Sequence, residues 1–163
     1  MKRVVITGFG IISPIGNDET SITDSLRNGS SGLKINQDYI DNGMRCHVSG
    51  PVEADFSLID RKAMRFMSET AGYSFLATQD AVKDAGLTEA DLDNTETGVV
   101  VGSGTGSSRE LKRVVEMASE NGVKKIGPYS VTKTMSNTTS AAISTFFKTK
   151  GVSYSIASAC TTS

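Results

Sequence analysis

Cys160 is the side chain best suited to covalent chemistry. It follows the apolar run Val152-Ser153-Tyr154-Ser155-Ile156 and sits within Ser158-Ala159-Cys160-Thr161-Thr162-Ser163. Small neighbours on both sides would let a substrate reach the sulfur. A strand-to-helix turn here would set the thiol at a helix N-terminus, where the positive end of the dipole favours thiolate. That is the logic of a nucleophile elbow with sulfur in place of oxygen. On pattern alone, a buried structural cysteine is an equal reading. The sequence stops three residues later, so it holds neither the helix that would activate the thiol nor a partner base.

The other chemical candidates are weaker. Cys46 and His47 are adjacent, and neighbours on a strand point to opposite faces, so they are poorly placed to act together. His47 reads as structural or surface, and Cys46 as an inert buried thiol. A single histidine excludes any His-pair metal site or proton relay built from this chain, and no metal site is expected. Gly8-Phe9-Gly10 invites a dinucleotide reading, but the next glycine, Gly16, comes too late for G-x-G-x-x-G. Those glycines predict a tight turn with close backbone packing instead. Gly102-Ser103-Gly104-Thr105-Gly106 lacks the Gly-Lys-Ser/Thr ending of a phosphate loop. It reads as a flexible strand-to-helix turn or as backbone lining a substrate channel.

The elements that would carry these residues alternate in type. Arg3–Thr7, Gly98–Val101 and Val152–Ile156 are short, β-branched runs closed by small residues, which predicts strands buried on both faces. Residues 60–85 predict one long helix. Met64, Met67, Ala71, Phe75, Thr78, Val82 and Ala85 follow steps of three and four, and Gly86 ends the run. Thr88 to Asp91 predicts a capped helical turn. Ser107-Ser108-Arg109-Glu110 has capping-box spacing and opens a helix with Leu111, Val114, Val115 and Ala118 on its apolar face, ended by Gly122. Residues 136–147 predict a helix so rich in Ser, Thr and Ala that only close packing or an interface would hold it. Residues 28–41 are the least patterned and predict a surface excursion. Strands alternating with helices argue an α/β fold with a mainly parallel sheet, in one domain.

Composition bounds the class. In 163 residues, 17 basic and 18 acidic side chains leave a net charge of -1, which removes the sequence-level case for nucleic acid or an anionic membrane. No apolar run approaches the roughly 20 residues that span a bilayer, and the N-terminus is not a secretory signal. Two cysteines are too few for a disulfide framework, so the cytoplasm is the default compartment.

Taken in order, the motifs resemble a family. They run from Val4-Val5-Ile6-Thr7-Gly8-Phe9-Gly10 through Ile15-Gly16-Asn17 to Gly43-Met44-Arg45 with His47. Asp60-Arg61-Lys62 and Arg65-Phe66-Met67-Ser68 follow, then Asp84-Ala85-Gly86-Leu87 and Gly102-Ser103-Gly104. Gly127-Pro128-Tyr129, Val131-Thr132-Lys133, Tyr154-Ser155-Ile156 and Ser158-Ala159-Cys160 complete the set. The chain resembles the N-terminal part of a β-ketoacyl-acyl carrier protein synthase, a thiolase-like condensing enzyme. The segments around Gly43 and Arg65-Phe66-Met67-Ser68 look most like the type I elongation enzyme.

The resemblance implies a thiolase-like layered sheet-and-helix fold, of which residues 1–163 would be the N-terminal half only. It implies a homodimer, acyl carrier protein as partner, and a decarboxylating Claisen condensation on substrates carried by phosphopantetheine, with no cofactor bound by this chain. It makes Cys160 the nucleophile, Thr105 the gate of the acyl pocket, and Met135 and Ala159 pocket-lining, with Met135 on a segment reaching the dimer partner. Thr161 departs from the family's usual alanine and would either crowd the turn or cap it. The family's catalytic histidines, lysine and glycine-rich oxyanion segment lie beyond these residues, and His47 cannot replace them. The chain alone is therefore expected to be inactive. A non-catalytic module that pairs with a complete synthase or with carrier protein is the alternative.

Overall fold

The computed structural model describes residues 3–162. The elements follow from local chemistry. Asp18 accepts the Ser21 N–H and opens α1 (Glu19–Asn28), and Gly29 closes it at φ 63. No helix is predicted here from sequence, because its apolar pair Ile22 and Leu26 makes too short a stripe. The excursion then folds locally. β1 (Lys34–Ile35) pairs antiparallel with β2 (Val48–Ser49) around α2 (Gln37–Asp41). Cys46 lies just before β2 and is exposed, not buried as expected, because none of the described residues packs over it.

The long helix predicted over 60–85 is two helices. α3 (Arg61–Met64) stops, and α4 (Glu69–Asp84) starts at Ser68, whose hydroxyl accepts the Ala71 N–H at 3.3 Å. A serine that satisfies an N-terminal donor competes with helix continuation. The apolar stripe survives the break: Met67, Ala71 and Phe75 join Ile59, Ala63, Leu76 and Ala142 in the core, and Met67 is only 1% exposed. Gly86 then closes the segment at φ 65, as predicted. α5 (Glu89–Leu92) carries the expected reciprocal cap between Thr88 and Asp91.

β3 (Val99–Gly102) leads through the glycine loop into α6 (Ser108–Asn121), capped by Ser107 and ended by Gly122. α7 (Ser130–Thr134) and α8 (Thr138–Phe146) follow, then β4 (Ser153–Ile156). β3 and β4 pair in parallel, Val99 beside Ser153 and Gly102 beside Ile156. α8 packs on both strands and on α4. Its small side chains permit the approach: Thr138, Thr139, Ser140 and Ala142 are buried.

The first predicted strand is absent. Arg3–Thr7 joins no ladder, and Val4 and Ile6 are 93% and 91% exposed. A strand needs a neighbour to take its backbone hydrogen bonds, and none of the described residues does so. The segment after it is held by helix contact instead. A Cβ on Gly8 would lie 2.5 Å from the Ala81 carbonyl oxygen, and one on Gly10 would overlap that of Ala77. The close-packing reading of those glycines therefore holds, with α4 as the surface they approach and no tight turn between them. Among the described residues, no helix is long and apolar enough to cross a membrane.

Candidate active site

Cys160 stands where β4 ends, in the middle of a single 3-10 turn, Ala159–Thr161. The turn is built by hydroxyls. Thr161 donates to the Ser158 carbonyl at 2.8 Å, and Thr162 donates to that of Ala159 at 2.8 Å while accepting the Ser158 N–H. Thr161 thus caps the turn and does not crowd it. Ala159 is held at φ 51, a left-handed conformation that costs a non-glycine residue on the order of 1 kcal/mol. The sulfur is exposed. Three residues make too short a helix to supply a dipole, so the activation expected at a helix N-terminus is not built among the described residues.

The glycine loop lies directly beside this turn. The Ser103 N–H continues the ladder to the Ile156 carbonyl at 3.3 Å. Gly102 has no room for a Cβ, because Thr162 fills the space. A Cβ on Gly104 would press on the Ala159 carbonyl at 3.2 Å, and one on Gly106 would meet the Ser136 Cα at 3.2 Å. Thr105, exposed, lies between those two contacts. The loop thus sets Gly104, the neighbour of Thr105, against Ala159 and reaches the α7–α8 junction that carries Met135. His47 is not brought in. Its carbonyl accepts the Asn36 N–H at the β1–β2 ladder, and no hydrogen bond among the described residues joins it to the turn.

Two grooves share α7 as a wall. Met135 lines an apolar one of about 470 Å³ with Phe66, Thr132, Ala141, Ala142 and Phe146. A smaller one, about 180 Å³, is lined by Arg65, Arg113, Tyr129, Ser130 and Lys133. Phe66 and Tyr129 stand between them, edge to face at 4.7 Å. Glu110 balances part of the second groove by pairing with Arg113 at 2.8 Å and Lys133 at 4.0 Å. It is therefore not free to complete the capping box read from sequence; only the Ser107 half forms.

Residues 1–163 match the family described as beta-ketoacyl synthase, N-terminal domain. The chain belongs to this family. It is 47% identical over 165 residues to 3-oxoacyl-[acyl-carrier-protein] synthase 1 of Haemophilus influenzae, in agreement with the expected type I likeness. That alignment covers all of this chain and 41% of the relative, so the chain spans about two fifths of that length. A β-ketoacyl synthase from Burkholderia phymatum superposes with a TM-score of 0.83 at 26% identity, over 99% of this chain and 41% of that one. A type II polyketide acyl-carrier protein in complex with its ketosynthase also aligns, at a TM-score of 0.72 and 24% identity, over 96% of this chain and 41% of that one. The thiolase-like ketosynthase fold is thereby established for this chain.

Within a ketosynthase fold, other residues at the site gain meaning that local sequence hides. Thr70, half-buried beside the apolar stripe of α4, donates to the Gly106 carbonyl at 3.3 Å. Glu69 and Arg109 pair at 2.6 Å and tie the first turn of α4 to that of α6. Tyr73 shares this neighbourhood: burial pushes its phenol up, the Glu69 charge adds to the shift and Arg109 offsets part of it. These partners are 36 to 40 residues apart in the chain, so no short motif could signal them. Among the described residues, no cluster of His, Cys, Asp or Glu could hold a metal ion.

Proposed function

We propose that the whole protein elongates fatty acyl chains by decarboxylating Claisen condensation. The Cys160 thiolate attacks the thioester of an acyl carrier protein, and the carrier's phosphopantetheine leaves as a thiol. Malonyl-carrier protein then loses carbon dioxide. Its carbanion attacks the Cys160 thioester, forming the carbon–carbon bond and releasing the Cys160 sulfur. The observation that carries this reading is an exposed cysteine on a strand-ending turn, with a glycine backbone packed against the residue before it. Thr105, Ala159 and Met135 are read as bordering the acyl chain, and the apolar groove at Met135 supports that.

Carrier protein is the proposed partner. Arg61, Lys62, Arg65, Lys124 and Lys125 are exposed and have no carboxylate partner among the described residues. The groove lined by Arg65, Arg113 and Lys133, with Glu110 as the carboxylate paired to two of them, is a cationic lining that suits an acidic protein. The whole enzyme is read as a homodimer that binds no cofactor of its own. Two free cysteines support a cytoplasmic setting.

The present chain is expected to be inactive. Decarboxylation needs donors aimed at the developing enolate oxygen, and acyl transfer needs an oxyanion hole and an activated thiolate. The single histidine lies at the β1–β2 ladder. The test is mass spectrometry of Cys160 in protein of its relatives' full length, after incubation with an acyl-carrier thioester. An adduct lost in Cys160→Ala is expected; one that persists there overturns the assignment. Carbon dioxide release by the 163-residue chain above its Cys160→Ala control would overturn the expected inactivity.

The bare outer face of β3 and β4 favours a second reading, a module that pairs with a complete synthase. Co-purification with a full-length synthase at fixed stoichiometry supports it, and its absence weakens it.

A further inference from the structure

Gly106 is held at both of its backbone polar groups by side-chain hydroxyls, one local and one distant. Its N–H is accepted by the Ser103 hydroxyl at 3.0 Å, within the loop. Its carbonyl accepts the Thr70 hydroxyl at 3.3 Å, from α4. The residue is also fixed sterically. It sits at φ 67, and a Cβ there would press on the Ser136 Cα at 3.2 Å. Thr105 is the residue immediately before it. On the other side of Thr105, Gly104 rests against the Ala159 carbonyl, one residue from the sulfur. The Ser103 bond fixes the 105–106 peptide and the Thr70 bond fixes the 106–107 peptide, so with the Gly106 Cα close to Ser136 the two bonds bracket the end of the segment that carries Thr105. Of the two hydroxyls that hold Gly106, that of Thr70 comes from α4, whereas Ser103 belongs to the loop itself. The Glu69–Arg109 pair beside it is exposed on its arginine side, and such pairs are weak on their own.

We propose that Thr70 is a positioning residue for Thr105. Its hydroxyl holds the Gly106 carbonyl and so sets where Thr105 stands beside Cys160. On the functional reading above, on which this consequence rests, Thr70 thereby tunes which acyl groups pass Thr105.

The test uses the 163-residue chain with Cys46→Ser, since both cysteines are exposed and only Cys160 should report. Thr70→Val keeps the shape and removes the donor; Thr70→Ser keeps the donor. Amide exchange at residues 105–107 is read against α6 and α8. Thr70→Val is expected to speed exchange at 105–107 roughly fivefold and leave the helices unchanged. Thr70→Ser should restore the parent rate. The ratio of Cys160 alkylation by a bulky and a small maleimide should shift in Thr70→Val and return in Thr70→Ser. Unchanged exchange at 105–107 overturns the proposal. Equal acceleration in α4, α6 and α8 also overturns it, because Thr70 would then be merely structural. Local loosening here, with no acyl adduct at Cys160 in protein of the relatives' full length, keeps the positioning role and removes the acyl reading alone.

Discussion

The two faces of the β3–β4 pair differ sharply. Toward α8, Val99 is 7% exposed and rests on a layer of small buried side chains, while Ser153 and Ser155 at the β4 edge of that side stay exposed. On the opposite face Val100 and Tyr154 are 64% and 59% exposed, with Ile156 beside them. Successive strand residues point to opposite sides, so one apolar run serves both faces equally. Parallel sheets are normally covered on both. The contrast shows that an apolar run specifies a need for cover, while other parts of the fold decide which side receives it. The same holds for Arg3–Thr7, as apolar as β3 and without a strand partner among the described residues.

The largest test of this contrast is core truncation. Met67→Ala should cost about 2–5 kcal/mol in urea unfolding, whereas Ile6→Ser should stay within about 0.5 kcal/mol. Comparable losses at the two positions would erase the distinction between the covered and uncovered regions. Next comes the bare face. Apolar patches of this kind are unusual on monomers, so the chain is expected to self-associate in sedimentation experiments. Replacing Tyr154 and Ile156 together with lysine should weaken association at least about tenfold. A clean monomer at high micromolar concentration would contradict the expectation.

The smallest effect is at a helix cap far from either face. The Thr88 hydroxyl and N–H hold the Asp91 carboxyl below its usual range. A carboxylate with a lowered folded pKa contributes stability above its unfolded value and loses it as pH falls through the folded one. Thr88→Val should therefore raise the Asp91 pKa in an NMR titration and reduce the acid dependence of unfolding. An unmoved Asp91 would show that the hydroxyl bond plays no part.

Much of the site was legible because its signals are local. Ser107 and Thr88 announced helix starts, Gly86 and Gly122 announced ends, and the small residues of 138–146 announced a closely packed helix. Cys160 was legible as a candidate from its strand and its small neighbours. The break at Ser68 was not, since a buried stripe passes unbroken across it and either backbone would place Met67 and Ala71 inside. Cys46 was misread as buried because thiols generally are; its exposure reflects what the β1–β2 ladder fails to cover. The Thr70 contact was invisible, as it joins groups with no sequence relationship.

What the order of residues settled alone was chemistry of short range: which segments cap, which turn on glycine, which must be shielded from water, and which thiol has small neighbours. Tertiary structure decided the rest. It alone set which face was shielded, which apolar run became a strand, and which loop came to rest against Cys160. Caps and turns close over a few residues and are decided locally. Ladders, cover and loop contacts need partners tens of residues away, and those partners exist only once the chain has folded.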